Sequence, residues 1–147
     1  MGDRTYAEVR IHKHYYDRHK EEIDEMGYDE AEEDGDEVTV KDYEANYGSL
    51  EALESFCQQN KIEYDRRWEA GGDYSAGNEY ARIVNGEYKV HDIYDDGDAV
   101  LGELKTILNE KDPTKREELL NKRIKELEPF EITPLKAPQS IDFIKNA

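Results

Sequence analysis

His12 and His14 stand two residues apart in a stretch, Thr5 to Tyr16, where Ala7, Val9 and Ile11 alternate with Glu8, Arg10, His12 and His14. A period of two is the pattern of a half-buried strand and puts both imidazoles on its outward face. Imidazoles so spaced can chelate a metal such as zinc, with Asp17 or His19 completing the set. No second ligand pair follows at a defined spacing, and a strand face mixing His with Arg, Lys and Tyr is the commoner situation. His12, His14 and Asp17 are thus candidate ligands for an alternative reading, a metal-dependent enzyme; the main reading expects no metal and no cofactor. Asp92, Asp96, Gly97 and Glu103 take positions one, five, six and twelve of a calcium-binding loop. Tyr94 occupies position three, where a carboxylate is usual, so the aspartates read better as caps on the helix that follows. Cys57 falls on an apolar helical stripe, where it acts as a small hydrophobe and not as a nucleophile. The sequence carries no nucleophile elbow, P-loop or dinucleotide fingerprint, and no enzyme is expected.

Charge is more informative than motif. The 147 residues hold 20 Lys and Arg against 37 Asp and Glu, a net charge of −17. Sequence-independent binding of DNA or RNA requires clustered Lys and Arg to neutralise phosphates, so it is disfavoured, and an anionic membrane surface equally so. No apolar run approaches the ~20 residues of a membrane span, and the N-terminus lacks secretory character, so a cytoplasmic location is expected. Residues 17–37 alone carry −10, whereas residues 99–147 are neutral. The densest run is Glu30, Glu32, Glu33, Asp34, Asp36 and Glu37, within a segment poor in apolar residues that reads as a polar insertion, either a solvated loop or a functional surface.

Further elements follow from pattern. Val38, Val40 and Tyr43 carry a second strand. Ser49 is suited to cap a helix whose apolar stripe is Leu50, Leu53, Phe56 and Cys57. Ile62, Tyr64 and Trp68 alternate with Glu63, Asp65 and Glu69 as a third strand. Asn85-Gly86 joins Tyr80–Val84 to Glu87–Tyr94 as a two-residue hairpin. A helix then shows Val100, Leu101, Leu104, Ile107 and Leu108 on one face, and Asp112-Pro113 opens another. The expected fold is α+β: an antiparallel or mixed sheet of four to five strands covered by two helices, with an additional C-terminal helix and a Pro-containing extended tail. Residues 1–112 would form the acidic domain, and 113–147 the helix and tail.

Tyrosine is the second clue. There are 11 tyrosines against three phenylalanines and one tryptophan. A buried phenol needs a hydrogen-bond partner, whereas an interface favours a side chain that is both apolar and wet. Core packing in place of scarce aliphatics is the alternative.

Residues 43–54, Tyr-Glu-Ala-Asn-Tyr-Gly-Ser-Leu-Glu-Ala-Leu-Glu, with Ile62-Glu63-Tyr64-Asp65-Arg66, resemble segments of small acidic proteins of phages and mobile elements. That class includes anti-CRISPR and anti-restriction proteins, some of them DNA mimics. The resemblance implies a non-enzymatic inhibitor that occupies the nucleic-acid-binding site of a host nuclease complex. The expected partner is therefore a basic nucleic-acid-binding protein. From the charge and tyrosine pattern, the contact surface would comprise Tyr28, Asp29, Glu30, Glu32, Glu33, Asp34, Asp36, Glu37, Glu63, Asp65, Glu69 and Tyr74. The mixed-charge C-terminal helix leaves open a homodimer or a docking helix.

Overall fold

Alternation decides the first strand. In β1 (Arg4–His12), Ala7, Val9 and Ile11 are fully buried while Tyr6, Glu8 and Arg10 face the other way. The computed structural model describes residues 4–72, 75–95 and 97–138. After β1 come α1 (Lys13–Arg18), α2 (Lys20–Glu25), β2 (Glu30–Asp34), β3 (Glu37–Asn46), α3 (Glu51–Gln59), β4 (Tyr64–Trp68), β5 (Gly77–Val84), β6 (Glu87–Tyr94), α4 (Gly97–Leu108) and α5 (Pro113–Leu127). The fold is α+β, with one open antiparallel sheet of six strands in the order β2-β3-β1-β4-β5-β6.

The expected extent of the first strand is corrected. The strand ends at His12, whose Nδ1 accepts a hydrogen bond from the His14 amide at 3.0 Å and so caps α1. Helical turns beyond that cap bury Tyr16 and Ile23 against the core. Residues 17–37, readable as a solvated loop or a functional surface, take regular structure as well: they contain α2, around Ile23, and the edge strand β2. All five residues of β2 are exposed, so hydrophobic patterning could not announce it. Its order comes from backbone pairing with β3 across a tight turn in which Gly35 adopts φ +61°.

One face of the sheet is covered by α1, α2 and α3, which bury Tyr16, Ile23, Leu53 and Cys57 against Val9, Ile11, Val38, Val40 and Tyr64. The covering layer was expected to include the helix bearing Leu101 and Leu104. Instead α4 pairs with α5, and both leucines stay exposed. Ser49 lies one residue before the cap position, held by Leu50, and its hydroxyl donates to Glu54 at 2.6 Å. The Asn85-Gly86 hairpin and the Asp112 cap form as read, the former with φ of +52° and +81°.

Trp68 is wedged between two glycines. A Cβ at Gly77, its cross-strand partner, would lie 2.5 Å from the indole and 2.8 Å from the Ile93 carbonyl. Backbone cannot move aside cheaply, so Gly77→Ala should destabilise the protein by about 1–3 kcal/mol, read from its urea midpoint. A midpoint equal to the parent's would contradict this packing.

Candidate functional site

The acidic run is a rigid edge. Glu30, Glu32 and Asp34 fall on one face of β2, opposite Lys41, Thr39 and Glu37 of β3. Alternate strand residues are about 6.8 Å apart, so this face is a row of evenly spaced carboxylates. Lys41 lies between Glu30 and Glu32, 3.4 Å from the first and hydrogen-bonded to the second. That bond holds the Glu32 carboxyl below its usual pKa. On the other face Lys13 reaches Glu33 at 3.7 Å and Asp17 at 3.6 Å. Two lysines thus fix the geometry of the edge without cancelling its charge. Helix α2, just before it in the chain, adds the exposed Glu21, Glu22, Asp24 and Glu25, with Asp24 lining a cleft shared with Glu30.

Tyrosines divide by role. Tyr43 is 53% exposed, packs its ring at a tilt 5.7 Å from that of Tyr6, and has its phenol pKa raised first by a hydrogen bond to Glu30. It therefore stands at the end of the carboxylate row, and the sequence reading did not include it. The signal was available, since Tyr43 has the same parity as Lys41 and Thr39. Tyr47, also exposed, follows at the next turn. Most other tyrosines serve the core, and each buried phenol has found its partner. Tyr16 donates to Asp24, Tyr88 to the Ile62 carbonyl, and Tyr28 accepts from the Leu53 amide. Tyr28 is accordingly half-buried against the core with its phenol already engaged; Tyr74 lies outside the described residues.

Two of the three acids read on β4 and its flanks, Glu63 and Asp65, behave differently from the edge. Glu63 is buried and its two oxygens accept the Ile83 amide at 2.9 Å and the Lys136 amide at 3.1 Å. Asp65 pairs at 2.7 Å with Arg82. Glu63 is thus occupied internally, Asp65 is partly exposed but committed to Arg82, and Glu69 is exposed. Strand alternation alone could not distinguish them, because the open face of the sheet is covered over β5 by the chain after α5. There Phe130 and Leu135 are buried, and Arg82 donates to the Thr133 carbonyl at 2.8 Å.

Beneath the covering helices lies a polar network. Arg66 meets Glu54 at 3.0 Å, Glu79 at 3.2 Å and the Gly48 carbonyl at 2.7 Å, with its guanidinium 4.3 Å over the Trp68 ring. Tyr64 donates to Glu79 and accepts from Gln58. Burial resists ionisation of Glu79, but bonds from Asp92, Tyr64 and Arg66 outweigh it and hold its pKa low. Asp92, on the exposed margin of the network, has the opposite fate: desolvation of its carboxyl where it meets the pair, then its bond to Glu79, push it up to about 7. Of the two carboxyls, Asp92 is the one that binds a proton more readily. Its affinity is higher folded than unfolded, so the contribution to stability is complete below about pH 4 and disappears as pH rises through about 7. Asp92→Asn should flatten that decline between pH 5 and 8, measured as urea midpoints against pH; parallel curves for parent and variant would contradict the raised proton affinity of Asp92.

No metal site assembles from the candidates. His12 is engaged as a cap, His14 projects from the exposed side of α1, and among the described residues no three His, Cys, Asp or Glu side chains are grouped to hold an ion. In the calcium-loop reading, Asp92 is bonded to Glu79 and Glu103 to Arg123, while Asp96 lies outside the described residues. Burial pushes the Cys57 thiol up to about 12, so it is no nucleophile at neutral pH. Among the described residues no helix is long and apolar enough to cross a membrane. Compared with protein-family models, curated proteins and solved structures, the chain matches none.

Proposed function

We propose that the chain is a non-enzymatic binding protein that sets its acidic edge into the cationic cleft of a nucleic-acid-binding protein, in place of nucleic acid. The observation that carries this reading is β2: a strand whose residues are all exposed, four of the five acidic, held in regular register against β3. A mobile acidic loop would have to be ordered on binding, whereas charges fixed on a sheet have already met that cost. Fixed negative potential steers association with a basic surface and weakens as salt screens it. Tyr43, exposed beside Glu30, supplies the apolar and hydrogen-bonding contact that charge alone lacks. Inhibition of a host nuclease complex is the form of this activity implied by the resemblance of residues 43–54 and 62–66 to phage inhibitors.

The test is affinity capture from a nuclease-treated bacterial lysate with the parent and two variants of equal charge. One neutralises the edge: Glu30→Gln, Glu32→Gln, Glu33→Gln and Asp34→Asn. The other neutralises four exposed acids elsewhere: Glu87→Gln, Glu118→Gln, Glu126→Gln and Glu131→Gln. The retained proteins should be nucleic-acid-binding, should elute with added DNA or salt, and should bind the edge variant about tenfold or more weakly. Equal retention by both variants, or retention indifferent to salt and DNA, overturns the reading.

A further inference from the structure

The α4–α5 hairpin leaves an apolar face unused. Leu101, Leu104 and Leu108 recur at three- and four-residue spacing along α4 and are 50%, 40% and 72% exposed. Leu120 and Ile124 continue the stripe on α5. Between the helices runs an open groove of about 560 Å³, floored by Leu104, Ile107 and Leu108 and edged by Pro113, Arg116, Glu117 and Leu120. Scattered apolar residues are ordinary on a surface; a contiguous stripe along two packed helices marks a place where another surface belongs.

Charge selects the occupant. Residues 97–127 hold seven acidic and seven basic side chains, so the whole net charge of −17 lies outside the hairpin. Two copies of so acidic a chain repel one another at the sheet edge, and the hairpin is the face they can share without that penalty. The α5 edge is, moreover, complementary to itself. Pro113, Arg116, Glu117 and Leu120 fall on one helical face, and their order reverses sign about its midpoint. An antiparallel two-fold placed between Arg116 and Glu117 sets each Arg116 against the second copy's glutamate and each Pro113 against its leucine. This is the reciprocal pairing an isologous interface demands. A partner of single-signed charge could satisfy only half of it.

We propose that this groove is a homodimer interface, in which two α4–α5 hairpins pack antiparallel as a four-helix layer. The acidic edge plays no part in the contact, so the dimer neither requires nor tests the function proposed above.

Sedimentation of the 147-residue chain over a concentration series decides it. The parent should move from 17.2 kDa toward twice that mass as concentration rises. Leu108→Asp with Leu120→Asp should stay monomeric with an unchanged circular dichroism spectrum, since both side chains are exposed. Glu117→Arg should weaken association about tenfold or more by opposing like charges across the axis. The swap Arg116→Glu with Glu117→Arg restores the reciprocal pairs and should recover association. A parent that remains monomeric overturns the proposal, whatever else fills the groove. So does a dimer unaffected by Leu108→Asp and Leu120→Asp, or a swap no better than Glu117→Arg alone.

Discussion

Arg66→Ala should lower the stability of the protein by about 3–5 kcal/mol, a large part of what a domain of this size possesses. Two buried carboxylates depend on that guanidinium. Glu54 and Glu79 lie 3.0 and 3.2 Å from it, each almost wholly removed from water, and removal of the cation leaves them facing one another uncompensated. The Gly48 carbonyl also loses its donor, and Trp68 loses the cation above its ring. Most of the cost therefore comes from stranded charge and not from a lost attraction. Combining Arg66→Met with Glu54→Gln and Glu79→Gln should accordingly be far milder than Arg66→Ala alone, because no buried charge is left over. Urea midpoints for the two variants give the comparison. A loss under about 1 kcal/mol for Arg66→Ala, or a triple variant less stable than the single one, would show that the network does not balance charge in this way.

What the sequence disclosed depended on whether water could read it. Ala7, Val9 and Ile11 alternate because one side of β1 is dry, and Asn85-Gly86 marks a hairpin because few other pairs accept two positive φ angles. β2 offered neither signal. An edge strand exposed on both faces needs only a neighbour's backbone, and its neighbour is specified by Val38 and Val40 on β3, not by β2 itself. The same limit explains Glu63 and Asp65. Their place in the alternation is outward, as read, but outward there means, for Glu63, toward the chain after α5, some 70 positions on, and for Asp65 toward Arg82, itself tied to Thr133. Tyr28 shows a related limit: its phenol is half-buried to reach the Leu53 amide, a partner visible only once α3 lies on the sheet. The acids of 29–37 were legible as charge, and the fold adds that they are fixed. The leucines of α4 were legible as a stripe, and the fold adds that the sheet does not cover it.

Arg82→Lys should cost about 2 kcal/mol and release the chain beyond α5, although it preserves the charge. Arg82 is only 2% exposed and is among the largest fully buried side chains. Its planar fork serves four acceptors at once: the Asp65 carboxylate at 2.7 Å, the Tyr64 and Ala81 carbonyls at 3.0 Å, and the Thr133 carbonyl at 2.8 Å. A lysine ammonium is a point with three donors and cannot span from β4 to residue 133 while keeping Asp65. The contact given up is the distant one, since Tyr64, Asp65 and Ala81 belong to the sheet. Thr133 then loses its anchor, and the neighbouring Lys136 amide is left to Glu63 alone. Hydrogen exchange separates this outcome from general destabilisation. The Lys136 amide should exchange much faster in Arg82→Lys, while amides in the β1–β3 ladder keep the protection set by global unfolding. Arg82→Ala, which strands Asp65, should cost about 3–5 kcal/mol and lower protection throughout the sheet. Should Lys136 and the β1–β3 ladder lose protection equally in Arg82→Lys, Arg82 would be a core residue and no more; a selective loss identifies it as the tie that holds the C-terminal segment to the sheet.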